Sequence, residues 1–312
     1  MTDDRRTPAS YHEGELTAQS RAGFRAHAQR LLPIVGDALP RGVGAFLAAQ
    51  RVLFVGAADP EGRVWATALY GEPGFLRARD PATLDIASLP AAVDPLAGTL
   101  SAHARVGTLV IDFPHRRRLR VNGRSSPTEH GLALAVDQAY GNCPQYIQSR
   151  TPRQGRHGAT TGRLVSSGEG LDEGQRRVVR AADTFLVASV SASGDADVSH
   201  RGGDPGFVHV ASPTRLSWPD YAGNTMLMTL GNLTVNPGAG LLFVDWTSGT
   251  SMHLTGTATI DWDPAVAARV PGAQRIVVFD ISRTVVIEHA EAPSWSAPEY
   301  SRFNPPATRS GS

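Results

Sequence analysis

The sequence predicts a mainly β chain with peripheral helices (α+β), folded as two tandem copies of a small closed or split β-barrel. Two patterns predict this class. Short apolar runs bounded by Gly, Pro and Asp turns recur along the chain, while the regular strand–helix alternation of a parallel doubly wound sheet is missing. The two halves also repeat. Gly62 and Gly194 stand 132 residues apart, as do Gly71 and Gly203, the Pro73-Gly74-Phe75 and Pro205-Gly206-Phe207 triplets, and Leu84 and Leu216. Leu109-Val110-Ile111-Asp112-Phe113 matches Leu242-Phe243-Val244-Asp245-Trp246 at 133, and Gly123 matches Gly256 at the same offset. One spacing held across different motifs marks duplication of a domain-sized unit, not a solenoid. Closure of each small sheet would remove the edges that short strands otherwise expose.

Residues 1–50 read as an N-terminal helical segment. It is polar to about residue 14, helical over Leu16–Leu32 up to Pro33, and helical again over Gly42–Gln50. The first copy takes 51–150. Val52-Leu53-Phe54-Val55 is a buried strand, Asp59-Pro60-Glu61-Gly62 a turn and Val64–Leu69 the returning strand. Thr108–Phe113 and Arg118–Asn122 form a later pair, and Leu132–Tyr140 and Pro144–Arg150 read as helices. Residues 151–175 are a linker, rich in Gly, Ser, Thr and Arg up to Gly170. The second copy takes 176–292, introduced by a helix over Gly174–Ala182. Its strands are Phe185–Val190, Asp197–His200, Phe207–Val210, Arg215–Trp218, Leu241–Trp246 and Ser251–Ile260, with a terminal pair at Arg275–Phe279 and Arg283–Glu288. The Pro- and Ser-rich tail, 293–312, reads as coil.

Composition narrows the chemistry. All 30 basic residues are arginines, so no lysine exists to form a Schiff base, and covalent pyridoxal-phosphate catalysis is excluded. An anion must be met by arginine, hydroxyls or backbone N–H groups. Against 29 acidic residues the net charge is +1, too small for a field that gathers nucleic acid. The single Cys143 leaves no intrachain disulfide and no cysteine zinc finger. Met-Thr-Asp-Asp-Arg-Arg is no signal peptide, and no run approaches the ~18 apolar residues of a membrane span. The expectation is a cytoplasmic protein with no membrane partner.

Several segments could carry chemistry. Ser199-His200-Arg201-Gly202-Gly203 ends a strand in a glycine turn, which suits a phosphate and equally suits an exposed turn. Trp218-Pro219-Asp220-Tyr221-Ala222-Gly223-Asn224 brings two aromatics that could flank a planar ring, or that are ordinary core and turn residues. A helix over Met226–Leu233 follows, with N-terminal amides available to an anion. At the position of Ser199-His200-Arg201 the first copy has Thr67-Ala68-Leu69. That copy carries Arg116, Arg118, Arg120 and Arg124 instead, alternating onto one strand face: an anion site, a salt-bridged interface or a nucleic-acid patch, the last disfavoured by the absence of interleaved aromatics. His12-Glu13-Gly14-Glu15 has metal-ligand residue types without ligand spacing. Asn142-Cys143-Pro144 fits a buried, inert thiol better than an activated one.

Taken together, Tyr11–Glu15, Arg116–Arg124, Val136–Pro144, Asp197–Phe207, Pro219-Asp220-Tyr221, Thr229–Leu233 and Leu241–Asp245 resemble the tandem flavin-nucleotide-binding proteins of the pyridoxamine 5′-phosphate oxidase-like superfamily. The resemblance covers nearly the whole chain. It implies two FMN-binding split barrels with FMN in a groove between them. It also implies Ser199, Arg201 and Gly202 at the phosphate, Trp218 and Pro219 along the ribityl chain or ring, and Asn224, Thr225 and Thr229 completing the phosphate loop. Ser251 would face the flavin, and Arg118 holds the equivalent place in the first copy. Relatives often carry a basic residue where this chain has Thr225. The basic and aromatic set that holds the substrate in the true oxidases finds no match, so that activity is not implied. The expected function is a flavin-dependent oxidoreductase acting on an unidentified small molecule, with NAD(P)H as a candidate donor and a homodimer as a candidate assembly. The alternative is a non-catalytic flavin- or partner-binding protein with a decayed site. FAD, deazaflavin F420 or haem are alternative cofactors, with His200, His209 or His253 as axial candidates for haem. His200 and Tyr221 are the candidate proton donors.

Overall fold

The computed structural model describes residues 9–153, 161–289 and 292–306. Two antiparallel sheets dominate it. The first contains β1 (Val52–Ala58), β2 (Val64–Tyr70), β3 (Leu76–Asp80), β4 (Thr83–Ile86), β5 (Ala104–Asp112), β6 (Arg117–Thr128) and β7 (Gly131–Asn142), in the order β2-β1-β5-β6-β7-β4-β3. After β8 (Gly162–Gly168) come β9 (Thr184–Val190), β10 (Ala196–Gly202), β11 (His209–Ser212), β12 (Arg215–Tyr221), β13 (Gly238–Val244), β14 (Ser251–Asp261) and β15 (Ala273–His289). Their order is β10-β9-β13-β14-β15-β12-β11, strand for strand that of the first sheet. Neither sheet closes, so each unit is an open, split form of the expected barrel.

Helices are peripheral. They are α1 (Glu13–Arg21), α2 (Arg25–Leu31), α3 (Gly44–Ala48), α4 (Ala97–Leu100), α5 (Glu173–Ala181), α6 (Met228–Val235) and α7 (Pro264–Ala267). His12 and Glu15 close a capping box on α1, as Asp172 and Gln175 do on α5. The single helix expected over 16–32 is two, parted at Gly23, whose φ of 74° no helix holds. Among the described residues no helix is long and apolar enough to cross a membrane.

Other departures have physical causes. Residues 132–140, read as helix, form β7. There Leu132, Leu134 and Val136 alternate onto the core, and pairing with β6 and β4 outweighs the helix propensity of the alanines. No helix forms over 144–150 either, where Tyr146 takes a left-handed backbone and Ser149 bridges Glu299. The expected terminal hairpin is one long strand, β15, whose register shifts against β14 between Thr255 and Gly256. A Cβ on Gly256 would stand 1.9 Å from the Asp280 carbonyl oxygen; on Gly123, 2.0 Å from that of Ala135. The repeated glycine therefore marks a bulge that bends a strand in each unit. The linker expected over 151–175 contains β8, which covers the free edge of β15 from Thr284 to His289. Its residues 154–160 lie outside the described ones, as do 1–8 of the N-terminal segment and 307–312 of the tail.

Each unit has its own core, one around Leu53, Leu69, Leu84 and Val121, the other around Phe185, Trp218, Leu241 and Phe279. A third cluster joins the units, with Phe54, Ala66, Leu109 and Phe113 against Leu186, Ala188, Val198 and Leu242. β1 and β9 therefore bury both faces, which explains their unbroken apolar runs. Contacts across this junction come in pairs. A Cβ on Gly107 would meet the Asp197 Cα at 2.4 Å, and one on Gly240, its repeat partner, would meet the Trp65 Cα at 2.5 Å. Arg120 donates to the Val198 carbonyl at 3.1 Å, and His253 Nδ1 lies 2.9 Å from that of Ala66. These pairs obey the 132–133 spacing, so an approximate two-fold axis relates the units.

Candidate functional site

On one side of that axis β10 and the end of β12 face β6 across a pocket of about 100 Å³. Ser199, His200, Arg201 and Gly202 come from β10, Arg118 and Arg120 from β6, and Pro219, Asp220 and Tyr221 from β12. Asn224, Thr225 and Thr229 arrive on the turn into α6, and Asn142, Gln145 and Tyr146 on the segment leaving β7.

Three arginines share this space with too little negative charge. Arg120 pairs with Asp197 at 2.9 Å, donates to Tyr140 Oη at 2.7 Å and reaches Ser199 Oγ. Ser199 Oγ also accepts from Thr229 at 2.8 Å and donates to Asp197 at 3.3 Å. Arg201 lies 3.9 Å from Asp220, whose other oxygen takes both Nε and Nη2 of Arg275, at 2.9 and 2.7 Å. Half-buried Arg118 has no carboxylate partner; its Nη1 lies 3.5 Å from His200 Nδ1. Nε of Arg118 and Nε of Arg201 are buried without partners. Burial, then the neighbouring Arg120 and Arg201, pushes Arg118 down to about 9. Burial and the charges of Arg118 and Arg201 hold His200 well below the usual histidine range, so it is neutral at pH 7. With Nδ1 turned to Arg118, His200 carries its proton on Nε2, which has no partner. Crowded cations, unspent donors and few carboxylates are the chemistry that suits an anion.

The surrounding backbone is adapted to it. Thr225 and Leu227 hold left-handed φ values of 63° and 58°, each costing roughly 1–3 kcal/mol. Leu227 gives α6 no side-chain cap, leaving its first amides open beside the pocket. Gly202 serves the junction rather than the turn, since a Cβ there would stand 2.0 Å from the Tyr146 carbonyl oxygen. Tyr146 lies across the mouth with its ring 5.2 Å from that of Tyr221 and its hydroxyl donating to Ala222 O at 2.9 Å. Burial pushes the Tyr221 hydroxyl up to about 12, so it also is neutral.

Of the ten residues that the resemblance implies at the site and the two candidate proton donors, ten line the pocket: Arg118, Ser199, His200, Arg201, Gly202, Pro219, Tyr221, Asn224, Thr225 and Thr229. Two do not. Trp218 points the other way from Pro219 on β12 and packs edge-on against Phe185 at 5.2 Å in the second core. Ser251 is fully buried at the two-fold-related position, between Nε2 of His253 and Nε2 of His289, each at 2.8 Å. There Thr67 bonds Asp94, Leu69 replaces Arg201, and the Tyr70 ring meets His289 at 5.6 Å, so side chains fill the space. The expected basic stripe also divides: the shift between Asn122 and Gly123 breaks the alternation, and Arg124 pairs outside with Asp137 at 2.8 Å. Arg120 shares a strand face with Arg118, as its spacing implied, but its contact with Ser199 left no mark in the sequence. Asp197 and Asn142 lay in segments that carry the resemblance, with no role assigned to either, and Tyr146 carried no signal of a site. His253 spends both ring nitrogens on Ser251 and Ala66 O, leaving none for a metal. Among the described residues no cluster of His, Cys, Asp and Glu could hold a metal ion.

Two open split sheets joined around a polar pocket define the class of protein. Residues 171–289, which hold the second unit, match the family model described as pyridoxamine 5′-phosphate oxidase. No curated protein matches the chain. Solved structures that match one unit include a protein of the pyridoxinephosphate oxidase family from Clostridium acetobutylicum, related to general stress protein 26 (15% identity, 40% of this chain, 96% of that one, TM-score 0.30). An FMN-binding protein from Syntrophomonas wolfei matches at 8% identity over 35% of this chain and 80% of its own, TM-score 0.28. An F420 reductase matches at 14% identity over 40% and 98%, TM-score 0.26.

Proposed function

We propose that the chain binds one flavin nucleotide, FMN, by its phosphate in the arginine pocket and acts as a flavin-dependent oxidoreductase on a small molecule. One observation carries the reading: Arg118 and Arg201 bring buried, unpartnered Nε donors to a pocket between the units, most of whose lining comes from the unit that matches the family model. Arg201, Arg118, the Thr229 hydroxyl and the open amides of α6 are the groups that would hold the phosphate. About 100 Å³ suits a phosphate and falls short of the ~300 Å³ or more of a typical cofactor site. Admitting the ring therefore requires Tyr146 and Tyr221 to part. When bound, the flavin would supply hydride or electron transfer. Neutral His200 would offer an Nε2–H donor, and Tyr221 a hydroxyl donor, to a developing negative charge. Neither is an acid at neutral pH, which argues for stabilisation rather than proton delivery. The two-fold-related space, filled by Tyr70, His289 and Ser251, argues for one ligand per chain.

FMN should raise the melting temperature, riboflavin should not, and Arg201→Ala should weaken FMN binding at least tenfold. FMN that leaves wild-type melting unmoved, or binding that survives Arg201→Ala at full affinity, would sink the assignment. Reduction of the bound flavin by NAD(P)H and reoxidation by a small acceptor separates an oxidoreductase from a flavin carrier.

A further inference from the structure

A second groove of about 530 Å³ lies beside the pocket and shares Arg118 and Asn142 with it, two residues paired across β6 and β7. Arg41, His115, Arg116 and Arg117 also line it, and among the described residues no carboxylate does. In a chain of net charge +1 that is a pronounced local excess. Another cavity is the contrast, where Glu15, Asp37, Asp137, Asp195 and Asp197 outnumber Arg124 and His12.

The cations of the groove are not equally free. Arg116 is spent on the Ile147 carbonyl at 3.1 Å and on Glu299, with its backbone oxygen at 3.0 Å and its carboxylate at 3.2 Å. His115 leans on Asp112 at 3.0 Å. Among the described residues, Arg41 and Arg117 pair with no carboxylate. Arg117 lies over Phe46, its Cζ 5.2 Å from the ring centroid, a contact that leaves guanidinium N–H donors open. Pro40, Val43 and Pro144 supply apolar wall for the organic part of a ligand.

We propose that this groove holds a second phosphate group, that of a nucleotide, on Arg41 and Arg117, with Arg118 and Asn142 as the sill between it and the first. The proposal rests on the reading of the pocket as an anion site. The phosphate has two possible sources: the far half of a dinucleotide flavin, or a separate nucleotide co-substrate that meets a flavin held in the pocket.

Titration calorimetry of the full chain with inorganic pyrophosphate tests the groove itself. In an Arg201→Ala background, which disables the pocket, pyrophosphate should still bind, and adding the Arg41→Ala/Arg117→Ala double variant should weaken it at least tenfold. The same double variant without Arg201→Ala should bind FMN within twofold of wild type. FAD and NADPH then assign the source. A tenfold loss for FAD identifies a dinucleotide flavin, and a tenfold loss for NADPH on FMN-loaded protein identifies a co-substrate. Pyrophosphate affinity unchanged when Arg41→Ala and Arg117→Ala are added to Arg201→Ala overturns the groove. Absence of FMN binding to wild type overturns the pocket reading alone, because the pyrophosphate comparison is read without flavin.

Discussion

Replacing Arg118 with methionine should stabilise the ligand-free protein while damaging its binding site. Arg118 sits half-buried with Arg120 and Arg201 for neighbours and no carboxylate, and its affinity for a proton falls from 12.5 to about 9. The charged form is therefore disfavoured in the fold relative to the unfolded chain at any pH below about 9, and neutral pH lies wholly inside that window. At about 1.4 kcal/mol per pH unit the ceiling is ~4–5 kcal/mol. Partial solvent access and loss of the long contact to His200 reduce the expected gain to roughly 1–3 kcal/mol. For two units melting together, an unfolding entropy of about 2.1 cal/mol/K per residue converts this to a rise of ~2–5 °C. The same variant gives up a charge-assisted hydrogen bond to a phosphate, roughly 1.5–3 kcal/mol, or about 10- to 100-fold in Kd for FMN. Thermal unfolding with and without FMN, beside calorimetric titration, reads both effects. A ligand-free variant that melts below wild type would refute the reasoning, since Arg118 would then be a structural cation.

Two further outcomes follow from the junction. Gly202→Ala should lower FMN affinity at least tenfold while leaving the second core intact, because its Cβ would displace Tyr146, whose carbonyl oxygen stands 2.0 Å away; equal affinity in the variant would count against Tyr146 as the cover. Burial, then His253, pushes His289 down to about 4, so the folded state resists a proton that the unfolded state takes up near 6.5. Stability should fall as pH drops from about 6.5 to 4, by up to ~3 kcal/mol. A His289→Asn variant should lose less stability over that interval, as followed by urea unfolding at pH 7 and 4.5.

The duplicated β architecture and most of one strand end are legible in the chain without its coordinates. Repeats at 132 and 133 are local signals, because each unit needs the same turn, bulge and buried strand wherever it stands in the chain. Gly123 and Gly256 were readable as a pair for that reason, and so was the contrast between Ser199-His200-Arg201 and Thr67-Ala68-Leu69. Period-two alternation was readable in principle in β7, but its alanines fit a helix equally well, and only pairing with β6 and β4 decided the matter. The tertiary structure alone decided which side chains meet. Trp218 and Pro219 are neighbours on one strand, yet the pleat sends one to the core and the other to the pocket. Ser251 and Arg118 are repeat partners, yet the two-fold axis sets them on opposite sides of the junction, one in a filled space and one in an open site. Charge imbalance is likewise a property of assembly. Arg118 is crowded because β10 brings Arg201 against β6, and separations of some 80 residues along the chain leave no trace of that in composition or spacing.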